Sequence, residues 1–84
     1  MTCTVLTPEK EIFAGIINSV KVPGIKGQFE VLNGHAPIVS SLGGGEIRIL
    51  DEKNERITFQ ITKGFIEVLN NEVSLLVQGV SGNN

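Results

Sequence analysis

The sequence contains no tryptophan and no tyrosine, and only a single cysteine, a single histidine and a single methionine among its 84 residues. Each scarcity excludes something. A lone cysteine closes no intramolecular disulfide, and Cys3 and His35 lie too far apart in sequence to suggest the cluster of ligands that a metal centre needs. A hydrolytic triad needs a base held by a third group, and His35 has no nucleophile motif of the G-x-S-x-G kind to serve. The expectation is a protein without enzymatic activity, cofactor or metal. A run of about 20 apolar residues is also missing, as is a charged leader followed by an apolar stretch, so no membrane insertion and a reducing, cytoplasmic compartment are expected. Charge of one sign is missing as well: seven basic and nine acidic residues are scattered singly for a net charge of −2. Without a basic stripe, nucleic acid is not expected as a partner.

Strand signals dominate what remains. Short β-rich runs recur between turn residues, and no window shows helical apolar spacing free of glycine or proline. The expectation is an all-β fold, a small antiparallel β-sandwich or flattened barrel of roughly 8–10 short strands. Residues 1–80 are read as the single domain and 81–84 as a frayed tail. A chain of this length buries only roughly 60–65% of the surface its unfolded form exposes.

In order, Thr2–Leu6 reads as a first strand closed by Thr7-Pro8-Glu9-Lys10, with proline at the second turn position. Glu11–Ala14 reads as a short second strand. After Gly15, a third over 16–22 would place Ile16, Asn18, Val20 and Val22 on one face. Residues 46–50 and 56–62 flank a polar loop, and pairing Leu50 with Arg56 sets Ile49 opposite Ile57 and Ile47 opposite Phe59. Residues 64–69 and 72–77 are joined by Asn70-Asn71, a pair that tolerates the left-handed φ values of a type I′ turn and sets Val68 opposite Val73 and Ile66 opposite Leu75.

The central stretch Pro23–Gly45 is different in kind. Its prolines and glycines shape a surface rather than a ladder. Gln28–Leu32 alternates as a strand, whereas 36–40, interrupted by Pro37, fits an edge strand or a loop. Asn33-Gly34 is a hairpin signal, but Pro37 favours an irregular excursion instead. Gly43-Gly44-Gly45 lacks the motif and the helix of a phosphate cradle and is read as a turn or bulge. His35, turned by Gly34 and Pro37, is read as a shaped-loop or contact residue in preference to a catalytic or pH-sensing one, and Cys3, on a presumed core strand, as an inert buried thiol. Lys53, at a hairpin tip, raises a competing reading: a small all-β carrier domain modified at that lysine. Its neighbours Glu52 and Asn54 are not the setting expected of such a site.

The run P-G-x-x-G-x-F-x-V-L-x-G-H-A-P-I-V-S-x-L-x-x-G, from Pro23 to Gly45, resembles the amino-terminal β-sandwich domain of the epsilon subunit of F-type rotary ATP synthases. The similarity extends in order through Thr7-Pro8-Glu9, Phe13-Ala14-Gly15, Glu46–Ile49 and Gly64–Val68, and so covers essentially the whole chain. The resemblance implies a non-catalytic subunit of the central rotor stalk. It would grip the gamma subunit and rest on the polar loops of the c-ring, peripheral to the cytoplasmic face of a bacterial plasma membrane. Carried over by position, Thr7 and His35 would be gamma-side contacts, and Gln28, Phe29 and Glu30 with Leu42 would form the foot on the c-ring. The chain departs from the family at Gln28, where an acidic residue is frequent, at Glu30, where glycine is common, and at Asn33, where proline often precedes G-H. Family members commonly continue into a helical hairpin that can inhibit hydrolysis and, in some, bind ATP. This sequence stops at Asn84, so no ATP site is expected in it.

Overall fold

A computed structural model describes residues 1–82 of the chain. Eight strands carry the fold: β1 (Thr2–Leu6), β2 (Glu11–Gly24), β3 (Gly27–Leu32), β4 (Ile38–Leu42), β5 (Gly45–Asp51), β6 (Arg56–Ile61), β7 (Lys63–Leu69) and β8 (Glu72–Gln78). They share one hydrogen-bonded network in the order β1-β8-β7-β4-β2-β5-β6, with β3 on β2 and a further pairing of β1 with β2. The strand β2 folds this network into two layers. Its first half pairs with β1, and its second half with β3 and β5. One layer is thus β4, β7, β8, β1 and the start of β2; the other is β3, the end of β2, β5 and β6.

Alternation then fills the space between the layers. Cys3, Val5, Ile66, Val68, Val73, Leu75 and Val77 point inward from one layer and Val20, Val22, Val31, Ile47, Ile49, Phe59 and Ile61 from the other, forming one buried cluster. The two later hairpins have the registers expected from sequence: Ile49 faces Ile57 and Ile47 faces Phe59, while Val68 faces Val73 and Ile66 faces Leu75. Asn70 and Asn71, with φ of 52° and 63°, adopt the left-handed pair that a type I′ turn requires.

Three expectations are corrected, and one parallel pairing is added to the expected antiparallel fold. Glu11–Ala14 and 16–22 are one 14-residue strand, because Gly15 has a register partner in Cys3 and therefore does not end the ladder. Nor do Ile16 and Asn18 share a face with Val20 and Val22. Ile17 pairs with Asp51 and Ser19 with Leu50, which leaves Asn18 as an extra, bulged residue. The bulge shifts the phase of the strand by one, so Ile17 is fully buried while Ile16 is 52% exposed. One pairing, β1 with β8, is parallel within the otherwise antiparallel network. Finally, Ser81 exchanges two backbone hydrogen bonds with Gln60, at 2.8 and 3.0 Å, so the expected frayed tail does not include it. Residues 83 and 84 lie outside the described residues.

Asn33-Gly34 does not close a hairpin, since β4 pairs with β7 rather than with β3. Leu32 and His35 instead close a turn through a 3.0 Å hydrogen bond from the His35 amide, and the chain leaves along a new direction. The strand β4 runs antiparallel to β7 along its whole length and meets β2 only where Leu42 faces Gly24, so its second edge is mostly open.

Candidate interaction site

Strand direction places the candidate residues at two ends of the sandwich. The His35 loop follows β3 and lies beside the β7–β8 turn, where the Gly34 amide donates to Asn71 Oδ1 at 2.9 Å. Asn71 Nδ2 in turn donates to Asn33 Oδ1 at 3.1 Å. The imidazole is half-buried, and its Nδ1 lies 2.7 Å from the carbonyl oxygen of Ala36, to which it donates. That bond fixes the ring in the loop and leaves Nε2 as its free polar atom.

The opposite end is built by the β2–β3 hairpin. Gly24 faces Gly27 across the two-residue tip Ile25-Lys26. Gln28 and Glu30 are exposed on the outer face of β3, and the half-buried Phe29 alternates with them toward the core, as a period of two requires. Glu30 stands opposite Lys21, which stands opposite Arg48, so the carboxylate heads a row of mixed charge. Leu42 is only 2% exposed and belongs to the core. Its side chain therefore supports the hairpin from inside, across from Gly24, and presents no surface of its own. From Gly27 to Asn33, six strand residues separate this end from the His35 loop, about 20 Å at the rise of a strand.

Thr7 shares the hairpin's end, not His35's. The row Gly24, Leu42, Gly64 and Val77 leads across the layer toward Leu6 and Thr7. The Thr7 side chain holds its own turn together. Its Oγ1 accepts from the amides of Glu9 at 3.3 Å and Lys10 at 3.1 Å and donates to the Lys10 carbonyl at 3.0 Å. Thr7 also lines a shallow hollow of about 410 Å³ with Leu6, Pro8, Phe65 and Leu76.

Between Thr7 and His35 stretches the outer face of the β4-β7-β8-β1 layer. Its register aligns Leu6, Leu76 and Phe65 in one row. Leu76 is 51%, Phe65 43%, Leu69 49% and Val39 63% exposed, interleaved with Glu67, Ser74 and Glu72. Sequence reasoning singled out none of these. The signal that could have found them is the fully alternating β7 and β8, whose outward positions hold Phe65, Leu69 and Leu76 where solvent-facing strands ordinarily carry polar groups. It also missed Ile25, 66% exposed at a hairpin tip, where an apolar residue has nothing of its own chain to cover it.

Two candidates remain, one buried and one exposed. Cys3 is 1% exposed, and burial pushes its thiol up to about 12. Lys53 lies in the β5–β6 turn, where its amide donates to Asp51 Oδ1 at 2.8 Å, and its side chain is solvent-exposed. Among the described residues no three His, Cys, Asp or Glu side chains come together as metal ligands, and no helix is long and apolar enough to cross a membrane.

Loops of distinct composition at both ends, with an apolar strip between them, define a small β-sandwich domain built around its surfaces. The chain belongs to the family described as ATP synthase, Delta/Epsilon chain, beta-sandwich domain, whose profile matches residues 1–82. It is 45% identical over 80 residues to the ATP synthase epsilon chain of Chlorobaculum tepidum, spanning 95% of this chain and 91% of that one. To the epsilon chain of Salinibacter ruber it is 36% identical, spanning 95% of this chain but 59% of the relative. Its fold is shared with a chain of the Tetrahymena thermophila mitochondrial ATP synthase central stalk and c-ring, with a TM-score of 0.80 and 23% identity over 96% of this chain and 65% of that one. It is shared too with a chain of the Euglena gracilis mitochondrial ATP synthase assembly of OSCP, F1 and c-ring, with a TM-score of 0.85 and 19% identity over 94% of this chain and 51% of that one.

Proposed function

We propose that this chain is a non-catalytic rotor subunit of the F-type ATP synthase, held to the gamma subunit by one surface and to the c-ring loops by another, so that proton flow is coupled to ATP synthesis. The observation that carries this reading is the separation of its two loop sets. The His35 loop and the β2–β3 hairpin stand at opposite ends of β3, and a subunit bridging two partners needs two such ends. Membership of the delta/epsilon family supports it, as does the fold shared with chains of central-stalk assemblies.

A gamma subunit that touched both Thr7 and His35 would have to lie along the outer face of β7 and β8, covering Phe65, Leu69 and Leu76. The ring contact would then fall to the hairpin: Gln28, Phe29 and Glu30, with Ile25 added at the tip and Leu42 supporting from inside. On this reading the subunit sits peripherally at the cytoplasmic face of the bacterial plasma membrane. The test is charge reversal at the hairpin. A single exposed ion pair contributes only about 0–1 kcal/mol and is screened by salt, so Glu30→Lys should leave folding and gamma binding nearly intact. In membranes it should lower proton-driven ATP synthesis more than soluble ATP hydrolysis, and more at low salt. Unchanged coupling in Glu30→Lys, together with impaired coupling in Gln28→Ala, would move the foot to Gln28.

A further inference from the structure

The turn that carries His35 begins with Asn33-Gly34, and both groups that could react with each other there are held by a third residue. In an Asn-Gly sequence the glycine amide nitrogen can attack the asparagine side-chain carbonyl carbon. A C–N bond forms, the side-chain amide leaves as ammonia, and the resulting succinimide is opened by water at either carbonyl to give aspartate or isoaspartate. Glycine favours this reaction because it has no side chain to obstruct the approach. At Gly34, with φ of +80°, even an added Cβ would meet nothing within 4 Å, so no steric barrier protects the site. Asn33, Gly34 and Asn71 are all exposed to water.

One amide holds both reacting groups by hydrogen bonds, and the bond on the nucleophile opposes the reaction. Asn71 Oδ1 accepts from the Gly34 N–H at 2.9 Å. Asn71 Nδ2 donates to Asn33 Oδ1 at 3.1 Å. The nitrogen must lose its proton before it attacks, and an acceptor on that N–H stabilises the protonated form. The second bond ties the Asn33 side chain to a fixed residue and costs it the freedom to rotate into attack. Because a donor on Oδ1 also polarises the carbonyl, the check on the reaction rests on the first bond and on this loss of freedom. Asn71 is itself fixed, with φ of 63° in the tight β7–β8 turn and its carbonyl accepting from the Thr2 amide at 3.1 Å.

We propose that Asn33 is a deamidation site held in check by Asn71, whose side-chain amide binds the attacking nitrogen and the attacked group at once. Loss of that clamp would place a new carboxylate two residues before His35 and, in the isoaspartyl form, lengthen the turn by one backbone atom. The proposal concerns the free chain and stands whether or not His35 contacts gamma, so the failure of either is visible without the other.

The experiment incubates the full chain at mildly alkaline pH. It follows the mass gain that accompanies replacement of NH2 by OH, located by peptide mapping, and isoaspartate by enzymatic methylation. Asn71→Gly keeps the left-handed turn and removes the clamp; because it also leaves Asn70 before a glycine, only product that peptide mapping places at residue 33 is counted, and circular dichroism and urea melts verify that it folds. Residue 33 should deamidate about tenfold faster in Asn71→Gly than in wild type, the factor expected when hydrogen bonds of ordinary net strength are lost. Wild type unfolded in urea should show the same acceleration, and Asn33→Ser should abolish the product. Equal or slower reaction in folded Asn71→Gly, or equal rates in folded and urea-unfolded wild type, overturns the proposal.

Discussion

A methyl group added at Gly24 tests whether the β2–β3 hairpin is as tight as the proposed foot requires. A Cβ on Gly24 would stand 2.7 Å from the carbonyl oxygen of Gly27 and 2.9 Å from Cε2 of Phe29. The first neighbour is backbone and the register partner of Gly24, so it can move only by opening the hairpin. The second is the ring of a residue placed in the foot. Overpacking of this kind costs about 1–3 kcal/mol. A domain of this length has about 4–13 kcal/mol in all, so Gly24→Ala should remain folded. Its thermal midpoint should nevertheless fall by about 4–20 °C. At Gly15 a Cβ would meet only the Phe13 ring at 3.6 Å, ordinary contact within a strand, so Gly15→Ala is the matched control and should melt like wild type. Thermal melts followed by circular dichroism give the answer. If Gly24→Ala melts with Gly15→Ala, the hairpin yields freely and does not hold Gln28, Phe29 and Glu30 in a fixed array.

Other outcomes follow from single features. Ile66→Ala empties a fully buried position between the layers and should cost about 2–5 kcal/mol in urea unfolding, with the m-value unchanged. Asp51→Ala removes the carboxylate oxygen that accepts from the amides of Lys53 at 2.8 Å and Glu55 at 2.9 Å, and should lower the urea midpoint by an amount corresponding to about 1–3 kcal/mol. The Cys3 thiol should resist a thiol reagent in the folded chain and react on unfolding. Because its folded value lies at about 12 against an ordinary 9.0, the unfolded chain releases its proton first, and stability should fall as pH rises above about 9. Cys3→Ala should lack that portion of the alkaline decline.

The parts of this fold that could be read from sequence are those in which neighbouring residues decide the geometry. Asn70-Asn71 dictates its turn, the turn dictates which residues of β7 and β8 face each other, and alternation does the rest. The strand β2 was illegible for the opposite reason. The bulge at Asn18 exists only because β5 pairs across it, so the burial of Ile17 and exposure of Ile16 are settled by a partner some 30 residues away. Leu42 illustrates the same limit at the candidate site. Its place in the motif suggested a surface role, whereas its pairing with Gly24 and Gly64 turns it inward. The outward apolar residues of β7 and β8 were visible in the string all along. Their meaning emerged only when β1 and β8 paired in parallel and brought Leu6 and Thr7 to the same edge.

The central claim is that the outer face of β7 and β8 between Thr7 and His35 is the gamma-side surface. Leu76→Glu puts a charge at an outward-facing position that is 51% exposed, so the chain should fold as wild type does. Immobilised wild-type chain should retain purified gamma subunit, His35→Ala should retain it less well, and Leu76→Glu should release it. Retention of gamma by Leu76→Glu at wild-type strength, or failure of the wild-type chain to retain gamma, contradicts the account.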